Sequence, residues 1–581
     1  MNAPAPRIYE FGEFRVESTM RVLLHNGVPV PLTPKVFDTL LQLIARPGEL
    51  HEKEDLMRAI WPNTFVEENN LAQNIAALRR ALQDRGGANR YILTAPGRGY
   101  RFVADVEVVE EGPSDPPARA VLAVLPFENL SADPGRDYLV DGLTEETIAA
   151  LGQVDPDHLS VIGRTSVMPY KSSQSPVVDI GRELRVGYVL EGSLRAEGGR
   201  LRLTANLIRV RGQVQVWSWS FDSEPRSVLE FQRELAGVIA QQIRLQLAPG
   251  RLAALANRQT QNAAAYDMYL RGRHLWHRLT PATTRDALDL YGRATEIDPR
   301  YALAWSGIAD AHSASPINGD APPLTALPRA REAVAQALLA QPELSEVQAS
   351  LGFLNFWLDW DWPAAERAFR RAIDLDPNYA LPHRMLGLLY SHLGRPQDAL
   401  PAMRRARELD PLLAVHHGLS AQVAFAARDY ALAAQFARQA LVVDPDFWIG
   451  HFQLAQACVE LHEPDPAERA LAAAERSSGG NSKVVSLRGY LYAQQGRTED
   501  ATRVLEALMS TSRGPYVPPY AIALVYAGLR EADRALEWLG RAVDARDVHL
   551  TFLPIDPKWD VCRTDPRFDA ILARCGFMAA T

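Results

Sequence analysis

Between Glu67 and Asp84 the chain reads EENNLAQNIAALRRALQD, and its side chains sort by helical spacing. Leu71, Ile75, Leu78 and Leu82 recur on one face, while Asn69, Asn70, Gln73, Ala77 and Arg80 fall on the other. The outward set consists of amides, a small residue and a guanidinium. Asn and Gln pair with adenine and Arg with guanine in the DNA major groove, so this face has the chemistry to read base edges. The same pattern also fits an ordinary surface helix, and the neighbouring residues decide between the two.

Those neighbours form a small domain with one basic edge. Between positions 79 and 101 stand six arginines (Arg79, Arg80, Arg85, Arg90, Arg98, Arg101) against a single acidic residue, Asp84. Because the whole chain carries a net charge of -8, a phosphate-binding surface has to be local, and this strip is the place for it. Short alternating segments, Ile8 to Val16 and Arg21 to Leu24, come first, with Asn26-Gly27 as a tight turn. Thr33-Pro34 then caps a helix with Val36, Phe37, Leu40, Leu41 and Ile44 on one side. A second helix, Lys53 to Ile60, stops at Trp61-Pro62, and the Glu67 helix follows. A closing hairpin joins Arg90–Thr94 to Gly99–Val103 with Gly97 and Gly99 at its tip.

The run LTPKVFDTLLQLI, then Ile60-Trp61, LRRAL and YILTAPGRGYRF resembles the OmpR/PhoB-type winged-helix output domain of bacterial transcription regulators, over residues 7–105. The resemblance implies that the third helix enters the major groove, the wing reaches the minor groove, and the Trp before the connecting loop meets backbone phosphate. It implicates Asn69, Asn70, Asn74 and Arg79 on the helix, Trp61 on the loop and Thr94 on the wing. Gln73, Arg80 and Arg98 join this DNA-binding set from the residues themselves. Two positions depart from the family pattern: Ala77 stands where many members place a groove-reading arginine, and Pro96 replaces the wing-tip arginine. Arg80 and Arg98 are the substitutes.

The 581 residues predict roughly three to five domains. An apolar content of 47% with 23% charged residues is that of a folded, soluble chain. Cys458, Cys562 and Cys575 form no CxxC pair and read as reduced thiols, with zinc disfavoured. No leader pattern and no uninterrupted apolar run of about 18 residues occurs, so the expected location is cytoplasmic, with no membrane partner. The winged helix opens the sequence and an acidic, proline-rich linker, 106–118, follows it. Phosphorelay through a receiver domain and membrane sensing are both disfavoured.

Residues 119–250 read as an α/β domain: strands near Val121–Pro126, Leu159–Ile162, Tyr188–Ala196, Arg200–Val210 and Val214–Phe221, a helix capped by Thr144, another near Asp179–Leu184, and a last one from Val228 to Leu247. LAVLPFENLSAD with YVLEGSLR is similar to the TolB-N or FlgO-like segment of bacterial cyclase and regulator chains, and implies only an effector-binding or assembly role. Asp133, Asp137, Asp141, Glu145 and Glu146 crowd one loop, but helix capping and solvation explain them better than a metal or a carboxylate pair. The chain has no P-loop, GxSxG or HExxH, so the expectation is no catalytic residue, no cofactor, no metal and no enzyme.

From residue 263 onward small residues recur every 34 positions: Gly387, Ala421, Ala455, Gly489 and Ala523, then Ala399, Ala433, Ala467, Ala501 and Ala535, and a third series from Ala406. Asp-Pro pairs at 298, 376, 410 and 444 punctuate the joints. This is the tetratricopeptide pattern, about eight repeats over 263–547 with a cap at 548–581. An insertion is read near Ser315–Pro323 and one extra residue near Asp359–Trp362. Trp357, Trp360, Trp362, Phe447 and Trp448 line either the concave surface or, better, the helix packing. His274 with His277, and His416 with His417, lack the further ligands a metal needs.

The fold class expected is therefore multidomain: an N-terminal winged helix-turn-helix, a middle α/β domain and a C-terminal helical solenoid. The partners expected are double-stranded promoter DNA, bound as a dimer or a tandem pair, and a protein or peptide on the repeat surface. The alternatives are a repeat scaffold with vestigial DNA binding, or a cyclase-associated regulatory protein without catalysis.

Overall fold

The computed structural model describes residues 8–17, 22–25, 28–30, 32, 34–60, 68–84, 90–109, 119–131, 137–171, 173, 175–197, 200–223, 260, 262–276, 281–318, 321–510 and 516–577. The chain divides into two compact units, residues 1–118 and 119–581. Asn26-Gly27, Trp61, Arg85, Asp133, the 228–247 helix and His277 lie outside the described residues.

The first unit opens with strands β1 (Ile8–Phe11), β2 (Phe14–Glu17), β3 (Val22–His25) and β4 (Val28–Val30), and continues with helix α1 (Pro34–Ile44), β5 (Leu50–Glu52), α2 (Lys53–Ile60), α3 (Glu68–Ala81), β6 (Ile92–Ala95), β7 (Gly99–Phe102) and β8 (Glu107–Val109). One sheet has the order β4-β3-β2-β1-β8 and the other the order β5-β7-β6. Strand β8 falls in the stretch read as linker; Val108 sits opposite Tyr9 of β1, so the sheet reaches further along the chain than the acidic composition suggests. Alternate residues of the strands and one stripe of each helix meet in a single core, in which Val16, Leu40, Ile44, Leu78 and Phe102 are fully buried.

The second unit contains a mixed sheet: β9 (Ala120–Val124), β10 (Glu128–Asn129), β11 (Leu159–Val161), β12 (Tyr188–Glu197), β13 (Arg200–Arg209) and β14 (Val214–Ser223), in the order β11-β9-β12-β13-β14 with β10 beside β12. Strands β11, β9 and β12 are parallel and joined through helices α4 (Asp137–Val154) and α5 (Val177–Leu184); β12, β13 and β14 are antiparallel. The position expected for Thr144 needs correction. It lies inside α4, not at its start, and is fully buried. Its hydroxyl donates to Val140 O and accepts from Phe127 N at 2.9 Å, so the side chain that resembled a cap satisfies a strand-end amide instead.

Among the described residues eight helix pairs follow, from Ala263–Trp276 with Pro281–Ile297 to Pro519–Gly528 with Ala532–Asp544. The 34-residue lattice is a packing lattice: Ala421, Ala455, Ala523, Ala399, Ala433, Ala501 and Ala535 are all fully buried. A Cβ on Gly387 would stand 2.8 Å from Met403 Cγ, so the helices meet where nothing larger fits. The extra residue near 359 is absorbed by a π-helical turn, Asn355–Asp359, ended by Trp360 at φ 55°. Trp357, Trp360 and Trp362 are buried, as the packing alternative required, while Phe447 and Trp448 are half-buried.

The joints carry a second regularity that the sequence reading missed. A donor stands six residues after each joint proline: Trp305 Nε1 reaches Pro299 O at 3.0 Å, Gln348 Nε2 reaches Pro342 O at 2.7 Å, and the ring nitrogens of His383, His417 and His451 stand 3.0, 2.8 and 2.8 Å from the carbonyls of Pro377, Pro411 and Pro445. Burial lowers the His383 pKa to about 4, so the ring is neutral when it makes this bond. Only His383, His417 and His451 keep the 34-residue step; the steps from Trp305 to Gln348 and from Gln348 to His383 are 43 and 35 residues, and the change of residue type hides the common task in the sequence.

The last stretch does more than cover an end. Residues Arg546–Phe577 touch the first helix of six successive pairs. Arg546 donates to Leu358 O and stacks over Trp360; Phe552 meets Trp357, His392 and Lys483; Lys558 lies over Phe425 and donates to Gln456 Oε1 at 3.0 Å; and Trp559 Nε1 donates to Tyr520 Oη at 2.9 Å. Phe577 stacks on Trp362 at 4.6 Å. A segment that meets the first helices of the last six pairs runs along the inner face that those helices line. Leu550, Leu553, Trp559 and Cys562 are fully buried there.

The sheet and the solenoid grip each other through the repeat joints. Asn378 Nδ2 donates to Gly152 O at 2.7 Å and Leu159 O at 3.0 Å, and Asp410 accepts from Ser166 N at 2.8 Å and from the Ser166 hydroxyl. Burial raises Asp410 to about 6 against the pull of these hydrogen bonds.

Candidate nucleic-acid interface

Helix α3 is fixed from behind. Leu71, Ile75, Leu78 and Leu82 are at most 2% exposed and pack into the core formed with α1 and α2. The front carries Asn70, Ala72, Gln73, Ala76 and Arg80, all exposed. Among the described residues Arg80, Arg98 and Arg101 make no ion pair, so their charge is turned to the surroundings. A helix held by one greasy stripe and presenting amides and a free guanidinium can offer hydrogen bonds to base edges or phosphates.

Two of the expected contacts are occupied within the domain. The Asn74 amide is half-buried and donates to Lys35 O at 3.2 Å and Thr39 Oγ1 at 3.0 Å, tying α3 to α1. Arg79 Nη2 donates to Ile92 O at 2.9 Å and Thr94 Oγ1 at 2.7 Å, tying α3 to the wing. Both residues brace α3 against its neighbours. Helical spacing places a side chain on a side of the helix, but only the neighbouring elements decide what it touches there. Ala77, read as outward, is half-buried and packs against the core, which leaves Ala76 on the open face.

Asp84, the lone acid in the basic strip, accepts from the backbone amides of Arg90, Tyr91 and Ile92 at 2.8 to 3.2 Å and so fixes the entry to the wing. At the tip Gly97 has φ 76° with open space around it, and Pro96 and Arg98 are exposed. A Cβ at Gly99 would lie 2.0 Å from His51 O, so only glycine lets β7 leave the tip against β5. Thr94 is exposed beside Arg79. Trp61 and the side chain of Asn69 fall outside the described residues.

The acidic cluster of the second unit is spent on internal pairing. Asp141 pairs with Lys171 at 2.7 Å and His274 at 3.2 Å; Glu145 pairs with Arg273, and Arg164 lies 3.6 Å from it. These pairs bind α4 to the first solenoid helix, and hydrogen bonds from His274 and Lys171 hold Asp141 below the usual carboxylate range although burial opposes this. His417 holds the Pro411 carbonyl. Among the described residues no group of three His, Cys, Asp or Glu is arranged to hold a metal, and no helix is long and apolar enough to cross a membrane. Burial pushes the thiols of Cys458 and Cys562 up to about 11 and that of Cys575 to about 12.

Three stretches match known families: residues 27–102 the transcriptional regulatory protein C-terminal domain, residues 118–238 the second domain of HilA/YgeH-like transcriptional regulators, and residues 368–400 a tetratricopeptide repeat. "Putative adenylate cyclase 3" of Rhizobium meliloti is 29% identical over 278 residues, 42% of this chain and 47% of that protein. "Transcriptional regulator HilA" of Salmonella typhimurium is 25% identical over 395 residues, 67% of this chain and 68% of that protein. "Transcriptional activator CadC" of Escherichia coli is 29% identical over 107 residues, 18% of this chain and 20% of that protein. The chain thus spans about half the length of the first of these relatives and two thirds of the second. Residues 27–102 are an OmpR/PhoB-type DNA-binding domain, followed in the chain by a HilA-like second domain and tetratricopeptide repeats.

Proposed function

We propose that the chain is a transcriptional regulator that reads promoter DNA through its first unit and receives its signal through its second. The observation that carries this reading is the front of α3, where Asn70, Gln73 and Arg80 are exposed on a helix whose back is buried. In this reading α3 lies in the major groove with Arg80 on a base edge, Arg98 and Thr94 bring the wing to the backbone, and Arg79 and Asn74 hold the two parts in register. One such module offers a small interface and limited specificity, so it acts as a pair on two half-sites.

The signal reaches the second unit as a protein, peptide or small ligand. Because residues 546–577 already cover the first helices of the last six pairs, such a partner engages the outer helices, the first two pairs or the sheet. The test is DNA binding by residues 1–110 and by the full chain over a salt series, on the upstream region of the protein's own gene. The expected result is a steep salt dependence with a gain on one specific fragment. Absence of binding by both, even at low salt, overturns the reading in favour of a repeat scaffold.

A further inference from the structure

The sheet of the second unit has two unlike edges. At one end β11 is three residues long and is guarded by the solenoid: Asn378 donates to Leu159 O at 3.0 Å, and Arg405 Nη2 lies 3.4 Å from Ser160 Oγ. At the other end β14 is ten residues long, VQVWSWSFDS, and among the described residues no strand pairs along its outer side. Exposed edges of this length are ordinarily blunted by lysine, proline or inward-facing charge. Strand β14 has no lysine, arginine or proline, and its one charge is Asp222. Its single irregularity is the register shift between Leu207 and Ile208, which puts the extra residue at Val216. From Trp217 to Ser223 the pairing with β13 is regular, and Trp217 and Trp219 stack at 6.2 Å, half-buried.

We propose that this edge joins two copies of the chain, Trp217–Ser223 of one pairing antiparallel with the same residues of the other about a two-fold axis at Ser220. That register uses the whole regular run. It sets Trp219 opposite the position of Phe221 twice, an aromatic cross-strand pairing of the kind that stabilises sheets, and it sets Asp222 opposite Ser218 so that like charges do not meet. The run is therefore complementary to itself. Pairing would also bring two DNA-reading units onto one molecule, and in that respect alone the inference rests on the proposed function.

The mass of the full-length protein in solution tests this without reference to DNA. At micromolar concentration the wild type is expected to sediment as a dimer. Ser220→Lys and Ser220→Glu each place like charges face to face on the axis and are expected to give monomers, while a one-to-one mixture of the two regains the dimer mass. That recovery separates a blocked edge from a misfolded chain. On a fragment with two half-sites the Lys variant is expected to lose roughly a hundredfold in apparent affinity and on a single half-site nothing. A monomeric wild type overturns the proposal, as does a dimer that survives either substitution or a mixture that stays monomeric. In each of these cases DNA binding by residues 1–110 still stands or falls by itself.

Discussion

The front of α3 and the inner face of the solenoid are both surfaces on which folds of these kinds meet partners, and this chain treats them in opposite ways. On α3 the polar groups are left outward: Asn70, Gln73 and Arg80 are exposed, while the residues that could neutralise or distract them, Asp84 and Asn74, are engaged elsewhere. Inside the solenoid a row of polar groups is paired internally. Gln453 donates to Gln422 and Gln456 to Gln453, and Lys558 closes the row with Asp556 at 2.8 Å. A reading surface gains from unpaired donors that water can hold until a partner replaces it. A buried groove keeps few of them, because each unpaired polar group away from water costs about 1 to 3 kcal/mol, and the ring of His392 is one it does keep.

The largest effect expected from breaking this contrast is in the groove. Trp559→Ala empties a fully buried site and strands the Tyr520 hydroxyl, and should cost ~3 to 5 kcal/mol in urea unfolding. A cost below about 1 kcal/mol would mean that the C-terminal stretch is a loose cover and the inner face is open to partners. Next, Asp410→Ala leaves the Ser166 amide unpaired at the joint between sheet and solenoid and should cost ~1 to 3 kcal/mol. Partial proteolysis that releases the sheet from the variant, with the repeats intact, would identify the joint as the point of failure.

On the reading side, Arg80→Ala should weaken specific binding by ~1 to 3 kcal/mol with the melting temperature unchanged. Arg79→Ala should instead lower stability by about 1 kcal/mol and weaken all sequences alike, because it loosens the wing. The same loss of sequence preference in both variants would erase the distinction between reading and positioning.

The smallest effect is a pH dependence. His392 is buried between the rings of Phe356 and Phe552, neither ring nitrogen has a partner among the described residues, and burial lowers its pKa to about 3. The unfolded chain, with an imidazole near 6.5, binds a proton that the folded one refuses, so stability falls as pH drops from about 6.5 toward 3. Asp410, raised to about 6, acts in the opposite sense: its contribution is greatest below the unfolded value and is lost as pH rises through 6. His392→Phe should stabilise the protein, and the gain in melting temperature should grow between pH 6.5 and 5. A gain that is flat with pH would place the titrating groups elsewhere.

What could be read from the sequence was whatever repeats or alternates locally. The stripe Leu71, Ile75, Leu78, Leu82 fixed the buried side of α3, the strip of arginines marked the basic edge, and the spacing of 34 gave the helix pairs together with the small residues at their contacts. These are properties of neighbours along the chain, set by 3.6 residues per turn and by the volume of a methyl group. Tertiary structure alone decided which polar side chains remain free. Arg79 turns inward because β6 offers a carbonyl and a hydroxyl, Thr144 serves Phe127, His274 serves Asp141, and residues 546–577 run back along the solenoid because its curve leaves an apolar face that they cover. Each of these depends on partners distant in sequence, and local spacing carries no record of them.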